Sequence, residues 1–268
     1  THAATSNSRD KPMTAAPAPA FQPVVTAAIL VIGDEILSGR TKDKNIGYIA
    51  EYLTNIGIEL REVRVVADLT DEIVSALNAL RSRYTYVFTT GGIGPTHDDI
   101  TADAVAAAFG VPIDYDQRAI DMLLERFPKD QLNEARMRMT RIPAGADLIA
   151  NSVSKAPGFR IGNVHVMAGV PAIMQAMLDL VAPTLQTGVR MTVETVEAGS
   201  LGEGIYGDGL AAIAAAHPAV SIGSYPSFTA TGFRNQIVVR SKDPAAASSA
   251  ARDVEALVAR LTADRVPL

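Results

Sequence analysis

Thr89-Thr90-Gly91-Gly92-Ile93-Gly94-Pro95-Thr96-His97-Asp98-Asp99-Ile100-Thr101 is the stretch on which the fold class of this 268-residue chain turns. Ahead of it, Tyr84 to Thr90 reads as a strand. Behind it, Ile100 to Phe109 has helical spacing. Three glycines at a strand-to-helix junction let the backbone turn tightly and leave N–H groups pointing outward. The helix end adds roughly half a positive charge on the same side. At the carboxyl edge of a strand in an open α/β sheet, this predicts an anion site, most simply for phosphate.

The acidic residues of the loop have two readings. Thr96-x-x-Asp99 has the form of a capping-box variant, and caps exposed to water would account for part of the charge. Asp98, Asp99 and Asp103 together exceed what capping needs. Asp99 and Asp103, four apart on one helix face, would repel by about 4 kcal/mol at ~4 Å and an effective dielectric near 20. A bound Mg²⁺ or Mn²⁺ would relieve that repulsion.

The same alternation of strand and helix extends outward. Val24 to Ile32 is apolar on both faces, as a buried parallel strand requires. A helix follows at Ile46, Ile49, Leu53 and Ile56, closing at Gly57, then a strand over Ile58 to Val66 and a helix at Ile73, Leu77 and Leu80. Further helices are expected over Gln117 to Phe127, over Leu132 to Thr140 and from Pro171, with a strand at Val164 to Met167. This predicts a doubly wound, mostly parallel α/β sheet over residues 24–186. Beyond Gln186-Thr187-Gly188, a β-α-β-β-α order predicts a smaller α+β domain over 187–268, with helices at Glu203 to Ala216 and Pro244 to Leu261. Residues 1–23, rich in Ala, Pro, Ser and Asn, are expected to be a disordered tail, with Met13 a candidate native start.

Composition narrows the function classes. Net charge is −5 and the pI about 5.4, which argues against a general nucleic-acid binder. Cysteine is absent, so disulfides, thiolate catalysis and cysteine-based zinc sites are excluded. No apolar stretch approaches the ~20 residues of a membrane span. The expectation is a soluble cytoplasmic protein with a small-molecule partner.

Other strand ends carry further candidates. Gly33-Asp34-Glu35-Ile36-Leu37-Ser38-Gly39 follows the first strand, and it suits either a ligand-facing turn, with Ser38 donating to an anion, or a solvated acidic turn. Asn45 either caps the next helix or reaches the same crevice. Asp68 follows the second strand; either it or Asp71 is expected to cap the helix at Ile73, Leu77 and Leu80, and Asp68 could instead be a base or metal ligand. Lys155-Ala156-Pro157-Gly158-Phe159 and Ala168-Gly169-Val170-Pro171 are two more glycine turns, and the second opens a helix. Tyr206, Tyr225 and Phe228 are candidates for stacking on a base, or for the core.

On these motifs the chain resembles the molybdopterin-binding superfamily of the MoaB/MogA kind, and within it more closely the CinA amino-terminal domain; a related domain precedes the synthetase part of eukaryotic FAD synthase. Gly33 to Gly39 matches the family's Gly-Asp-Glu-Leu-Leu-Ser-Gly. Gly91 to Asp99 matches its Gly-Gly-Leu-Gly-Pro-Thr-His-Asp-Asp with Ile93 for Leu, and Ala156 to Phe159 also stands as in the family. Ile222-Gly223-Ser224-Tyr225-Pro226 resembles the FAD synthase relatives. The family's Leu-Pro-Gly-Val-Pro is Met167-Ala168-Gly169-Val170-Pro171 here, without the first proline. The chain ends at Leu268, and the deamidase activity of CinA proteins is not expected.

The resemblance implies a metal-dependent pyrophosphatase acting on ADP-ribose or FAD. Its alternatives are adenylyl transfer to molybdopterin, or nucleotide or pterin binding without turnover. It implies a divalent metal (Mg²⁺, Mn²⁺ or Co²⁺), with K⁺ helping, and a homodimer or trimer. It places Asp99 and Asp68 as catalytic residues and metal ligands, joined by Asp34 or Glu35. Asp98 or His97 is left to manage a proton. Gly33, Asp34, Ser38, Gly91, Gly92, Ile93, Gly94, Thr96, Lys155, Gly158 and Gly169 are the expected ligand contacts, with Lys155 neutralising a leaving phosphate.

Overall fold

The computed structural model describes residues 24–230 and 232–264; the tail expected over 1–23 lies outside them. The first strand, β1 (Thr26–Ile32), is buried along almost its whole length. Ala27, Ile29 and Val31 pack on one face, Ala28, Leu30 and Ile32 on the other. Apolar contact on both faces is what makes a central strand of β1. A short turn of helix α1 (Asp34–Leu37) leads to α2 (Asn45–Asn55), β2 (Glu59–Val66), α3 (Thr70–Arg81), β3 (Tyr86–Thr90) and α4 (Thr101–Phe109). After an excursion come β4 (Ile113–Tyr115), α5 (Gln117–Leu124), α6 (Glu134–Arg138), β5 (Arg141–Pro143), β6 (Asp147–Ile149), β7 (Gly158–Ile161), β8 (Val164–Met167) and α7 (Pro171–Val181).

The large sheet runs β2-β1-β3-β8-β7-β6, with β2, β1, β3 and β8 parallel and β7 and β6 antiparallel. Helices α3 and α4 cover one face through Leu77, Leu80, Ala104 and Val105. Helices α2 and α7 cover the other through Ile49, Leu53, Met174 and Leu178. The doubly wound, mostly parallel arrangement is as expected. The antiparallel edge was not, because β4 to β7 are three or four residues each, too short to show a period.

Four local expectations change. The helix expected to reach Phe127 ends at Leu124, and the one expected over Leu132 to Thr140 spans only Glu134 to Arg138. Helix α4 begins at Thr101 behind Ile100, so Thr96-x-x-Asp99 is not its capping box. Instead Asp99 Oδ2 accepts from Thr96 N at 2.8 Å and Thr96 Oγ1 at 2.6 Å, closing the loop on itself. Helix α3 starts behind Leu69 with no side-chain cap, so neither Asp68 nor Asp71 serves as one.

The smaller domain pairs β9 (Thr192–Gly199) and β10 (Ser221–Thr229) on either side of β11 (Gly232–Ser241), all antiparallel. Helices α8 (Glu203–Ala216) and α9 (Pro244–Ala263) cover one face through Tyr206, Val254 and Leu257.

His165 in β8 is 2 % exposed and stacks on Phe88 with ring centroids 5.2 Å apart. Burial, helped by the charge of Arg160, pushes its pKa down to about 4. In the unfolded chain it gains a proton near pH 6.5, in the folded one only near 4. The proton therefore favours the unfolded chain, and the stability this ring contributes at neutral pH is lost as pH falls from 6.5 to about 4. The loss should reach about 3 kcal/mol. Denaturant titrations from pH 7.5 to 4.5 should show it in the wild type and not in His165→Phe; parallel curves for the two proteins would refute it.

Candidate functional site

The strands β1, β3 and β8 end on a common edge, and the loops leaving them meet there. Gly91 has φ +101°, and a Cβ on it would stand 2.1 Å from the carbonyl oxygen of Ile32 at the end of β1. Gly92 has φ +66°, and its Cβ would stand 2.1 Å from Thr101 Oγ1. Both positions are closed to any side chain. Thr101, at the start of α4, ties the loop down: its N–H donates to Gly92 O at 3.0 Å and its hydroxyl to Gly91 O at 3.0 Å. The N–H of Gly91 is spent on Met167 O at 3.3 Å. Those of Gly92, Ile93 and Gly94 take part in no hydrogen bond among the described residues.

These donors line a cleft of about 610 Å³. Its polar end holds Glu35, Gly91, Gly92, Gly94, Asp99 and Gly169; Ile93, Phe127, Met139 and Ile173 form an apolar wall. A smaller recess of about 220 Å³ opens between Glu35, Asn45, Thr90 and Gly169, with Lys42 and Lys44 at its lip. Asn45 reaches the crevice rather than capping α2: its Nδ2 donates to Gly169 O at 2.8 Å, while Asp43 Oδ1 accepts from the N–H groups of Asn45 and Ile46.

A carboxylate rim stands beside the glycine loop. Asp68 Oδ2 accepts from Asp34 N at 2.9 Å and pins α1 to the end of β2. Burial, together with the negative charges of Asp34, Glu35 and Asp98, pushes the Asp68 pKa up. Asp68 thus stands within electrostatic reach of three other carboxyl groups, although Asp34, Asp68 and Asp98 line neither the cleft nor the recess.

Asp99 lines the cleft but is occupied with Thr96, and Asp103 is bound bidentately by Arg141 at 2.6 and 2.7 Å. That ion pair answers the repulsion expected between Asp99 and Asp103. Gly33 N–H donates to Val66 O at 3.1 Å, and Ser38 is the exposed end of α1. Neither lines the cleft, nor does Thr96. Lys155 Nζ is paired with Glu125 at 2.6 Å. Gly158 lies against β8, where a Cβ would meet Val166 O at 2.2 Å. His97 and Asp98 are exposed. Tyr206 is core, and Tyr225 and Phe228 lie in the smaller domain's hairpin. The aromatic ring on the cleft is instead Phe127, with the Arg136 guanidinium 4.1 Å from its centroid. Arg126, Phe127, Arg138 and Met139 had no signal in sequence, because only the excursion bracketed by the β4–β5 pair brings them to the cleft.

Among the described residues, no three or more carboxylate or histidine side chains form a preassembled metal cage. Mg²⁺ rarely needs one; it is commonly held by one or two carboxylates plus substrate phosphate and water. The all-oxygen rim around Asp68 fits that limited role.

A family model described as "Probable molybdopterin binding domain" matches residues 28–187. The chain belongs to this family. As a molybdopterin-binding-domain protein it carries, over residues 190–266, a match to a second model, "FAD synthase, middle domain". A protein of Saccharolobus islandicus (strain L.S.2.15 / Lassen #1) is 39% identical over 160 residues, 57% of this chain and 61% of that relative. A protein of Caldivirga maquilingensis is 36% identical over 174 residues, 63% of this chain and 68% of its own length. The chain thus spans about 61% of the Saccharolobus relatives it matches. The crystal structure of CinA from Thermoplasma acidophilum, a protein described there as of unknown function, superposes with TM-score 0.57 at 33% identity, covering 60% of this chain and 98% of that one. This molybdopterin-binding-domain protein has no helix among its described residues long and apolar enough to cross a membrane.

Proposed function

We propose that this protein cleaves the pyrophosphate bond of a dinucleotide, FAD or ADP-ribose, with a divalent cation. The observation that carries the reading is the three unspent loop N–H donors on a cleft that Glu35 and Asp99 also line, with Asp68 and Asp34 outside that lining but within electrostatic reach of one another. The match of the smaller domain to a region of FAD synthase supports a dinucleotide substrate. The N–H groups of Gly92, Ile93 and Gly94 hold one phosphoryl group without any side chain, and the Thr101 bonds fix their direction before substrate arrives. Asp68, with Asp34 or Glu35, would hold the cation (Mg²⁺, Mn²⁺ or Co²⁺), with K⁺ as a helper. Such an ion would lower the pKa of a water and neutralise charge on the phosphoryl oxygens. Asp99 keeps the loop closed, and the apolar wall beside Phe127 offers a surface for the non-phosphate part of the substrate. Phosphoryl transfer needs mostly positioning and neutralisation, which this cleft offers.

Incubation with FAD or ADP-ribose and each metal in turn should release AMP, and chelation should stop it. A second reading, favoured by the pterin named in the family's description, is binding of molybdopterin or adenylyl transfer to it. Tight binding of a pterin phosphate, with no AMP from any dinucleotide under any of the three metals, would replace the first reading with the second.

A further inference from the structure

Arg138, the last residue of α6, lines a small void together with Gly92, Ile93 and Gly94 of the glycine loop. Its Nη2 donates to Asp99 O at 3.4 Å, and its Nε is buried with no hydrogen-bond partner. The void, of about 20 Å³, is lined also by Asp99 and Arg141. That is room for about one oxygen atom. A buried, unpaired donor on a permanently charged group is costly unless an acceptor completes it. Of the other cations nearby, Arg141 is neutralised by Asp103, Lys155 by Glu125, and Arg126 donates to Val153 O.

We infer that Arg138 is an anion-binding residue, whose Nε–H receives an oxygen of the phosphoryl group seated on the Gly92–Gly94 donors. The inference rests on the phosphate-cradle reading and adds to it the group that neutralises the seated phosphoryl. The role suits arginine: Nη2 and Nε share one edge of the planar fork, so with Nη2 on the Asp99 carbonyl the neighbouring Nε–H is held in a fixed direction for the anion. The ligand class is a diphosphate or a phosphate monoester, and the nucleoside is not involved in this contact.

Calorimetric titration of the full chain with inorganic pyrophosphate tests it without turnover. Arg138→Gln should bind about tenfold or more weakly, the weight of one charge-assisted hydrogen bond. Arg138→Lys should fall between, since an ammonium supplies charge without the fork. Arg138→Gly should regain affinity when millimolar guanidinium chloride is added, with no rise in its thermal midpoint, a combination that a purely structural role would not give. Wild-type affinity in Arg138→Gln would overturn the inference and leave the cradle intact. So would a loss that follows the thermal midpoint and is not rescued by guanidinium. No pyrophosphate binding by the wild type would overturn the cradle itself, and Arg138's role with it.

Discussion

Gly91→Ala should cost the protein about 2–5 kcal/mol and remove anion binding at the cleft. Two penalties add at this position. The backbone at φ +101° lies where an alanine is strained, worth roughly 1–2 kcal/mol. The new methyl would also stand 2.1 Å from the Ile32 carbonyl, so β1 and the loop must part. Forcing atoms into a filled site costs typically a further 1–3 kcal/mol. Because Ile32 is the last residue of β1, which pairs with β3 directly, the movement spreads to the edge where the free donors sit. Gly39→Ala is the control: φ is +72°, with nothing within 4 Å of the added Cβ, so only the strain of about 1–2 kcal/mol applies. Urea titration and pyrophosphate calorimetry on both variants measure the difference. Equal stability of the two, with Gly91→Ala still binding, would mean that the close approach of β3's loop to β1 does not matter.

The contrast between these glycines shows what a sequence carries and what it does not. That Gly91 and Gly92 sit in a tight turn at a strand end was legible, because a β-branched apolar run and a helical period flank them. That Gly91 must be glycine because of Ile32 was not, since the clash lies across the sheet. The same division holds elsewhere. β1 was legible from its two apolar faces, and the helices of the smaller domain from long, regular spacing. The β6–β7 edge was not, because β7 turns back on β8 around Gly162 and both edge strands are too short to show a period. Asp103 looked like part of an acidic cluster, and only the fold shows that Arg141, distant in sequence, neutralises it. Asp68 and Asp34 were each visible as strand-end acids. Their hydrogen bond joins residues 34 apart and follows from β2 lying beside β1. Phe127 and Arg138 were invisible, since their importance comes from an irregular excursion folding over the cleft.

Asp68→Asn should lower metal-dependent release of AMP by on the order of a hundredfold or more while leaving the protein folded. The asparagine keeps an oxygen that can accept from Asp34 N, so the tie between α1 and β2 survives. What disappears is one negative charge among Asp34, Glu35 and Asp98. That charge is held at a cost: burial and its neighbours push the Asp68 pKa up, which means that the ionised form is disfavoured in the folded protein. Without metal, Asp68→Asn should therefore be as stable as the wild type or more so. With metal the order should reverse, because an ion that binds only the folded state adds about 1.4 kcal/mol at ten times its Kd, and the variant has lost the site. Thermal midpoints with and without Mg²⁺ read this independently of turnover. A variant that keeps both the Mg²⁺-induced shift and the wild-type rate would remove Asp68 from the reaction. A variant that keeps the shift but loses the rate would leave Asp34 and Glu35 holding the ion and assign Asp68 to the attacking water.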